Sequence, residues 1–160
     1  MIVSGDKIMQ KDRAHVRGRS SKKAAVTHLA RLRSEVREAV SNARSIILIM
    51  GLPGAGKSTL AADLDAPSVL VIDTCAPTTG HREPMIRAAK NAKKPIDCYH
   101  VKTPIEICQE RRPHVPPSQM QSIKARTTPP RRSEGFRRVC VIQGHNGTHK
   151  KNNQTETDRS

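Results

Sequence analysis

The sequence predicts an α/β fold, a small three-layer sandwich around a mostly parallel sheet, and three observations lead there. Short apolar runs of strand length alternate with segments of helical period between residues 45 and 143. A glycine-rich loop joins the first of those runs to the first of those helices. The 160 residues give room for one domain, and no internal repeat divides them.

The elements follow in order. Residues 1–22 are polar and basic, with Gly5, Gly18 and the pair Ser20-Ser21, and are expected to be a disordered arm. In 23–44, Val26, Leu29, Leu32, Val36 and Val40 recur at three- and four-residue steps, which predicts an amphipathic helix over 24–43. The domain proper is expected at 45–143. Its first strand is Ser45–Met50 (SIILIM), and a short helix runs from the loop to about Leu64. Val69–Asp73 (VLVID) is the second strand. A helix is expected at 81–92 through Met85, Ile86 and Ala89, and a third strand at 96–101. Pro104 opens a helix that Pro113 stops, because proline has no N–H to donate and its ring clashes with the preceding turn. A Pro-rich basic stretch follows, then a fourth strand at 138–142. The polar tail, 144–160, is expected to be disordered.

The chemistry is concentrated in Gly51-Leu52-Pro53-Gly54-Ala55-Gly56-Lys57-Ser58, which matches G-x-x-x-x-G-K-[ST], the Walker A pattern of a P-loop. Gly51, Gly54 and Gly56 allow the backbone to curl so that successive N–H groups, including those at Pro53's neighbour Gly54 and at Ala55, face an anion. The positive end of the following helix points at the same place. Lys57 would neutralise β- and γ-phosphates, and the Ser58 hydroxyl would ligate Mg²⁺, with Thr59 beside it. Such a loop also calls for an acid at the end of a neighbouring strand, and Asp73 is the candidate so placed. Arg111 and Arg112 end a helix after the third strand, where a cation could stabilise charge on a transferred phosphoryl group. The expected fold is therefore that of a P-loop NTPase, and the expected ligands are a nucleoside triphosphate, ATP, and Mg²⁺.

Composition narrows the partners. The formal charge is +15, and the excess is shared: residues 1–44 hold 11 Lys/Arg against 4 acids, residues 45–143 hold 15 against 8. A surface of that sign favours polyanions, and nucleic acid is the expected partner. The four cysteines form neither CxxC nor a Cys/His cluster, so no zinc site or disulfide framework is expected, and a reducing compartment is the default. No apolar run reaches transmembrane length, so no membrane partner is expected. Nucleus or cytoplasm is the expected location; the basic, Ser-containing start is also compatible with a mitochondrial presequence.

Beyond the loop, further segments resemble the polynucleotide 5′-hydroxyl kinase family, in particular the kinase domain of eukaryotic polynucleotide kinase 3′-phosphatases. Gly51 to Thr59 is similar to that family's loop, and Val71-Ile72-Asp73-Thr74-Cys75-Ala76-Pro77 to its strand ending in Asp-Asn-Thr-Asn-Pro. His114-Val115-Pro116-Pro117-Ser118-Gln119-Met120 is similar to its His-Ile-Pro-x-x-x-Met lid segment, and Glu134-Gly135-Phe136 to its Glu-Gly-Phe. The resemblance covers about residues 45–143. It implies transfer of the γ-phosphate of ATP to the 5′-hydroxyl of DNA or RNA in end repair, with Lys57 on the transferred phosphate, Ser58 and Asp73 serving Mg²⁺, and Arg112 as the lid arginine. Only nine residues, 60–68, separate the loop from VLVID, where the family has a further strand and helix with an Asn-Arg-Asp segment that carries its general base. Asp63 and Asp65 lie on or just after the loop's own helix, and Asp73 is the other carboxylate that could take the base's place. The resemblance thus implies weakened transfer or, alternatively, a catalytically degenerate protein that binds ATP or nucleic acid. No Asp-x-Asp-Gly-Thr motif is present, so no 3′-phosphatase activity is expected.

Overall fold

The computed structural model describes residues 1–4, 21–145 and 148–150. In chain order the elements are β1 (Ile2–Ser4), α1 (Ser21–Asn42), β2 (Ser45–Met50), α2 (Lys57–Leu64), β3 (Val69–Asp73) and α3 (Thr79–Asn91). They continue with β4 (Ile96–Lys102), α4 (Ile105–Arg111), α5 (Pro117–Arg126), a short 3-10 turn (Arg132–Glu134), β5 (Arg138–His145) and β6 (Thr148–Lys150). Strand β2 is apolar from its second residue to its last, as a strand covered on both faces must be. It lies between β3 and β4 in a sheet ordered β1-β3-β2-β4-β5-β6. The first five strands in that order are mutually parallel, and β6 turns back antiparallel on β5.

Alternation along the strands divides the core in two. On one face Ile46, Leu48, Met50, Leu70, Ile72 and Cys98 pack beneath α1 and α3. Leu32, Val36, Ala39, Val40 and Ala43 of α1 enter that layer, so its three- and four-residue apolar stripe is the face that covers the sheet. On the other face Ile49, Val71, Val101 and Ile142 pack beneath α2, α4 and α5. The result is three layers, helices on both sides of a mostly parallel sheet.

Strands β2 and β3 occupy the ranges expected from the sequence, and β4 and β5 run on to Lys102 and His145. Three segments differ from expectation. Ile2–Ser4 was expected within a disordered arm and instead pairs in parallel with β3, Ile2 opposite Val71. Gly144 and His145, expected in a disordered tail, complete β5, and Thr148–Lys150 forms β6. Pro117–Arg126 is a helix where a Pro-rich stretch was expected, since proline in the first turn supplies the helical φ without losing a needed hydrogen bond. The rest of the arm, 5–20, and of the tail, 146–147 and 151–160, lies outside the described residues. Among the described residues no helix is long and apolar enough to cross a membrane.

Candidate functional site

In this topology the chain leaves β2 to one side to make β3, then crosses to the other side to make β4. Crossovers diverge at the carboxyl end of β2, which is where open α/β sheets place ligands. The glycine-rich loop occupies that place, between Met50 and the first residue of α2.

Its three glycines all have positive φ, Gly51 at 150°, Gly54 at 81° and Gly56 at 98°. A side chain at Gly54 would also collide with α4, its Cβ falling 2.7 Å from the Cys108 carbonyl oxygen. Gly56 is the residue before α2, and no side chain caps that helix. The first-turn N–H groups of α2 therefore open toward the concave side of the loop without a protein acceptor from the cap position.

Lys57 begins α2 and is only 4% exposed. Its Nζ donates to the Leu52 carbonyl at 2.9 Å and lies 3.8 Å from Cys75 Sγ. No carboxylate pairs with this ammonium among the described residues. A buried charge so poorly compensated is costly unless an anion completes it. Next along, the exposed Ser58 hydroxyl donates to Asp73 Oδ2 at 2.7 Å. Asp73 ends β3 and is 3% exposed, so the structure brings together the two oxygen groups that the sequence separated by fifteen positions. Thr59, one residue on, is exposed.

Helix α4 borders the loop on its other side. Arg111 Nη1 donates to the Gly54 carbonyl at 3.2 Å, and the Arg112 Cγ lies beside the same glycine, 3.1 Å from where a Cβ would stand. Both arginines thus flank the loop, Arg111 through a direct hydrogen bond. Asp63 and Asp65 are elsewhere. Both are exposed at the far end of α2, and Asp65 Oδ1 accepts a bond from the Met1 ammonium at 2.5 Å. A rise of ~1.5 Å per residue puts Asp63 roughly 8 Å down the helix from Ser58.

Other residues shape the site without having stood out in the sequence. Thr103, just past β4, donates its hydroxyl to the Ala55 carbonyl at 2.8 Å. Gly144 of β5 lies against both groups; a Cβ there would fall 2.9 Å from the Ala55 oxygen and into the Thr103 hydroxyl. The loop is thereby held from beneath by two strands remote in sequence. Arg82, fully buried in α3, makes a bidentate pair with Glu134, Nε to Oε2 at 2.8 Å and Nη2 to Oε1 at 2.9 Å. Its Nη1 also donates to the carbonyls of Ala76 and Thr128, both at 3.2 Å. That guanidinium ties the segment after Asp73 to the segment before β5. Phe136 and Met120, which carry part of the resemblance, are core residues on opposite faces of the sheet. The local hint for Arg82 was a lone arginine on the apolar side of its helix; Thr103 and Gly144 gave none.

The donors suit an oligoanion and a hard cation: backbone N–H groups and an ammonium for the first, a hydroxyl and a carboxylate oxygen for the second. Among the described residues no group of three His, Cys, Asp or Glu side chains could hold a metal ion unaided. Neither a model of a known protein family nor a curated protein matches the chain.

Proposed function

We propose that the chain binds ATP with Mg²⁺ at the P-loop formed by residues 51–59 and transfers the γ-phosphate to the 5′-hydroxyl of DNA or RNA. The observation that carries this reading is the buried Lys57 ammonium behind positive-φ glycines, beside the Ser58–Asp73 hydroxyl–carboxylate pair. Lys57 and the N–H groups opening α2 hold the phosphates, and Ser58 and Asp73 offer oxygens to Mg²⁺. When bound, the nucleotide supplies the phosphoryl group, and the metal neutralises charge on it. The Arg111 or Arg112 guanidinium covers the phosphates from α4. The transfer joins the 5′ oxygen to the γ-phosphorus, breaks that phosphorus's bond to the β-phosphate oxygen, and releases ADP and the proton of the 5′-hydroxyl. The resemblance to polynucleotide 5′-hydroxyl kinases supplies the acceptor. Four cysteines outside any disulfide suit nucleus or cytoplasm, with the mitochondrion as the alternative.

A second reading rests on Asp63 and Asp65. Both stand at the distal end of α2, which leaves Asp73 as the carboxylate beside Ser58, and no second carboxylate among the described residues stands there as a base for the acceptor hydroxyl. Losing a general base typically lowers a rate by about 10²–10⁴-fold without removing binding. On this reading the protein binds ATP or nucleic acid and does not transfer phosphate.

Incubation with γ-labelled ATP, Mg²⁺ and a 5′-hydroxyl oligonucleotide separates the two. Label transfer above the Lys57→Ala control is expected. No transfer, with Mg-ATP still raising the Tm of the wild type and not of Lys57→Ala, overturns the kinase in favour of the binder. No Mg-ATP shift in the wild type overturns nucleotide binding itself.

A further inference from the structure

Several cations of the described residues are paired within the chain. Arg82 is paired with Glu134, Arg87 with Glu83, and Arg137 and Arg138 share Asp97. Those charges are used inside the protein. Arg33 of α1 and Arg126 of α5 are exposed and make no ion pair among the described residues. A cation held at a surface without a carboxylate keeps its full attraction for an outside anion.

The fold gathers these two around His81, in the first turn of α3. Helix α1 packs across α3, and Arg33 is an exposed residue midway along α1. The Thr128 N–H donates to the Pro77 carbonyl at 2.8 Å, which pins the end of α5, and with it Arg126, beside the start of α3. His81 Nδ1 shares a 2.5 Å hydrogen bond with Thr78 Oγ1, so the imidazole is fixed in place. The first turn of α3 contains no acid. Burial, then the charges of Arg126 and Arg33, hold the His81 pKa below its ordinary value, which agrees with both guanidinium groups lying close.

This surface and the glycine-rich loop share one edge of the sheet. Helix α3 starts six residues after Asp73, so its first turn lies within about 20 Å of the Ser58–Asp73 pair even with the link fully extended. Helix α1 runs back toward the same edge, because it ends at Asn42 just before β2 begins.

We propose that Arg33, His81 and Arg126 form the surface that receives the phosphate backbone of the acceptor nucleic acid, so that helix α1, outside the resemblance, is part of the substrate site. This rests on the polynucleotide reading above and assigns the strand a course, from the loop across the start of α3. Contacts of this kind position a strand without reading its sequence.

The test is fluorescence anisotropy with a labelled 5′-hydroxyl oligonucleotide and no ATP, over a range of salt concentrations. The double variant Arg33→Gln/Arg126→Gln should bind at least ~10-fold more weakly, and its log K against log salt should be less steep by about 1.5. Arg137→Gln, at the opposite edge and already paired with Asp97, should bind as the wild type does. The Mg-ATP thermal shift of the double variant should equal that of the wild type. Unchanged affinity and salt slope in the double variant overturn the proposal, as does an equal loss in Arg137→Gln. Competition by polyglutamate as effective as by unlabelled oligonucleotide also overturns it, because the surface would then take any polyanion. Because no ATP is present, these outcomes stand apart from a failure of nucleotide binding.

Discussion

Gly144 shows how much a single position can matter to a loop it never touches in sequence. It sits where β5 passes beneath Ala55, and the space a methyl would need is taken by the Thr103 hydroxyl and the Ala55 carbonyl. Gly144→Ala should therefore push the loop or break the Thr103 bond, at a cost of about 1–3 kcal/mol. A Tm lower than that of the wild type, together with a smaller Mg-ATP shift, is the expected result. An unchanged Tm would mean that the strand yields at no cost. At this scale the contiguous part of the site was legible in the sequence, because residues 51–58 are neighbours in the chain and their spacing is local. Thr103 and Gly144 were not legible, because what defines them is contact with Ala55 across three strands of the fold. Asp73 lay between: an acid closing an apolar run is visible, and the sheet then determines that it reaches Ser58.

Among the elements, α3 combines core packing through Met85, Ile86 and Ala89 with one buried ion pair. The Arg82 guanidinium spends its donors on Glu134, Ala76, Pro77 and Thr128, with none left over for solvent at 0% exposure. Arg82→Met would leave Glu134 without its partner in a largely buried place, and breaking such a pair typically costs about 3–5 kcal/mol. The double variant Arg82→Met/Glu134→Met should recover part of that loss. Urea midpoints of the single and double variants check this, and equal midpoints for the two would show that the carboxylate is not the source of the loss. The elements most legible in the sequence were those with a long apolar pattern, β2, β3 and α1. Helix α5 was not, since Met120 is its one buried residue and a single apolar contact sets no period. Strand β1 failed for the same reason, with three residues inside a basic segment.

The molecule as a whole carries a histidine whose protonation opposes folding. His100 of β4 is 7% exposed with its Nδ1 unpartnered, and burial, then Lys102 and Arg82, push its pKa from 6.5 down to about 4. The folded chain keeps it neutral while the unfolded chain takes up a proton near pH 6.5, so stability falls as pH drops from about 6.5 to about 4. The loss across that window is on the order of 3 kcal/mol. Asp97 acts lower. Burial alone would raise its pKa, but hydrogen bonds from Arg137 and Arg138 win and lower it, so its contribution is lost only as pH falls below the ordinary carboxylate range. His100→Met should flatten the stability profile between pH 4.5 and 7 and leave the steeper acid limb in place. A slope in that interval equal to the wild type's would assign it to another group. The three layers were legible at this scale because strand runs and helical stripes alternate along the chain.

The pairing of β1 with β3 bears on how the chain comes to be folded at all. Ile2 faces Val71, 69 positions later, and the two strands run in the same direction. On the ribosome the first strand emerges long before its partner is synthesised, and it must wait unpaired while α1 and β2 appear. Until it docks, the outer rim of β3 offers open N–H and C=O groups to any passing strand. Contacts of such high order close late and slowly. The outer edge of β3 is therefore closed only when residues 2–4 return to it across the intervening α1 and β2.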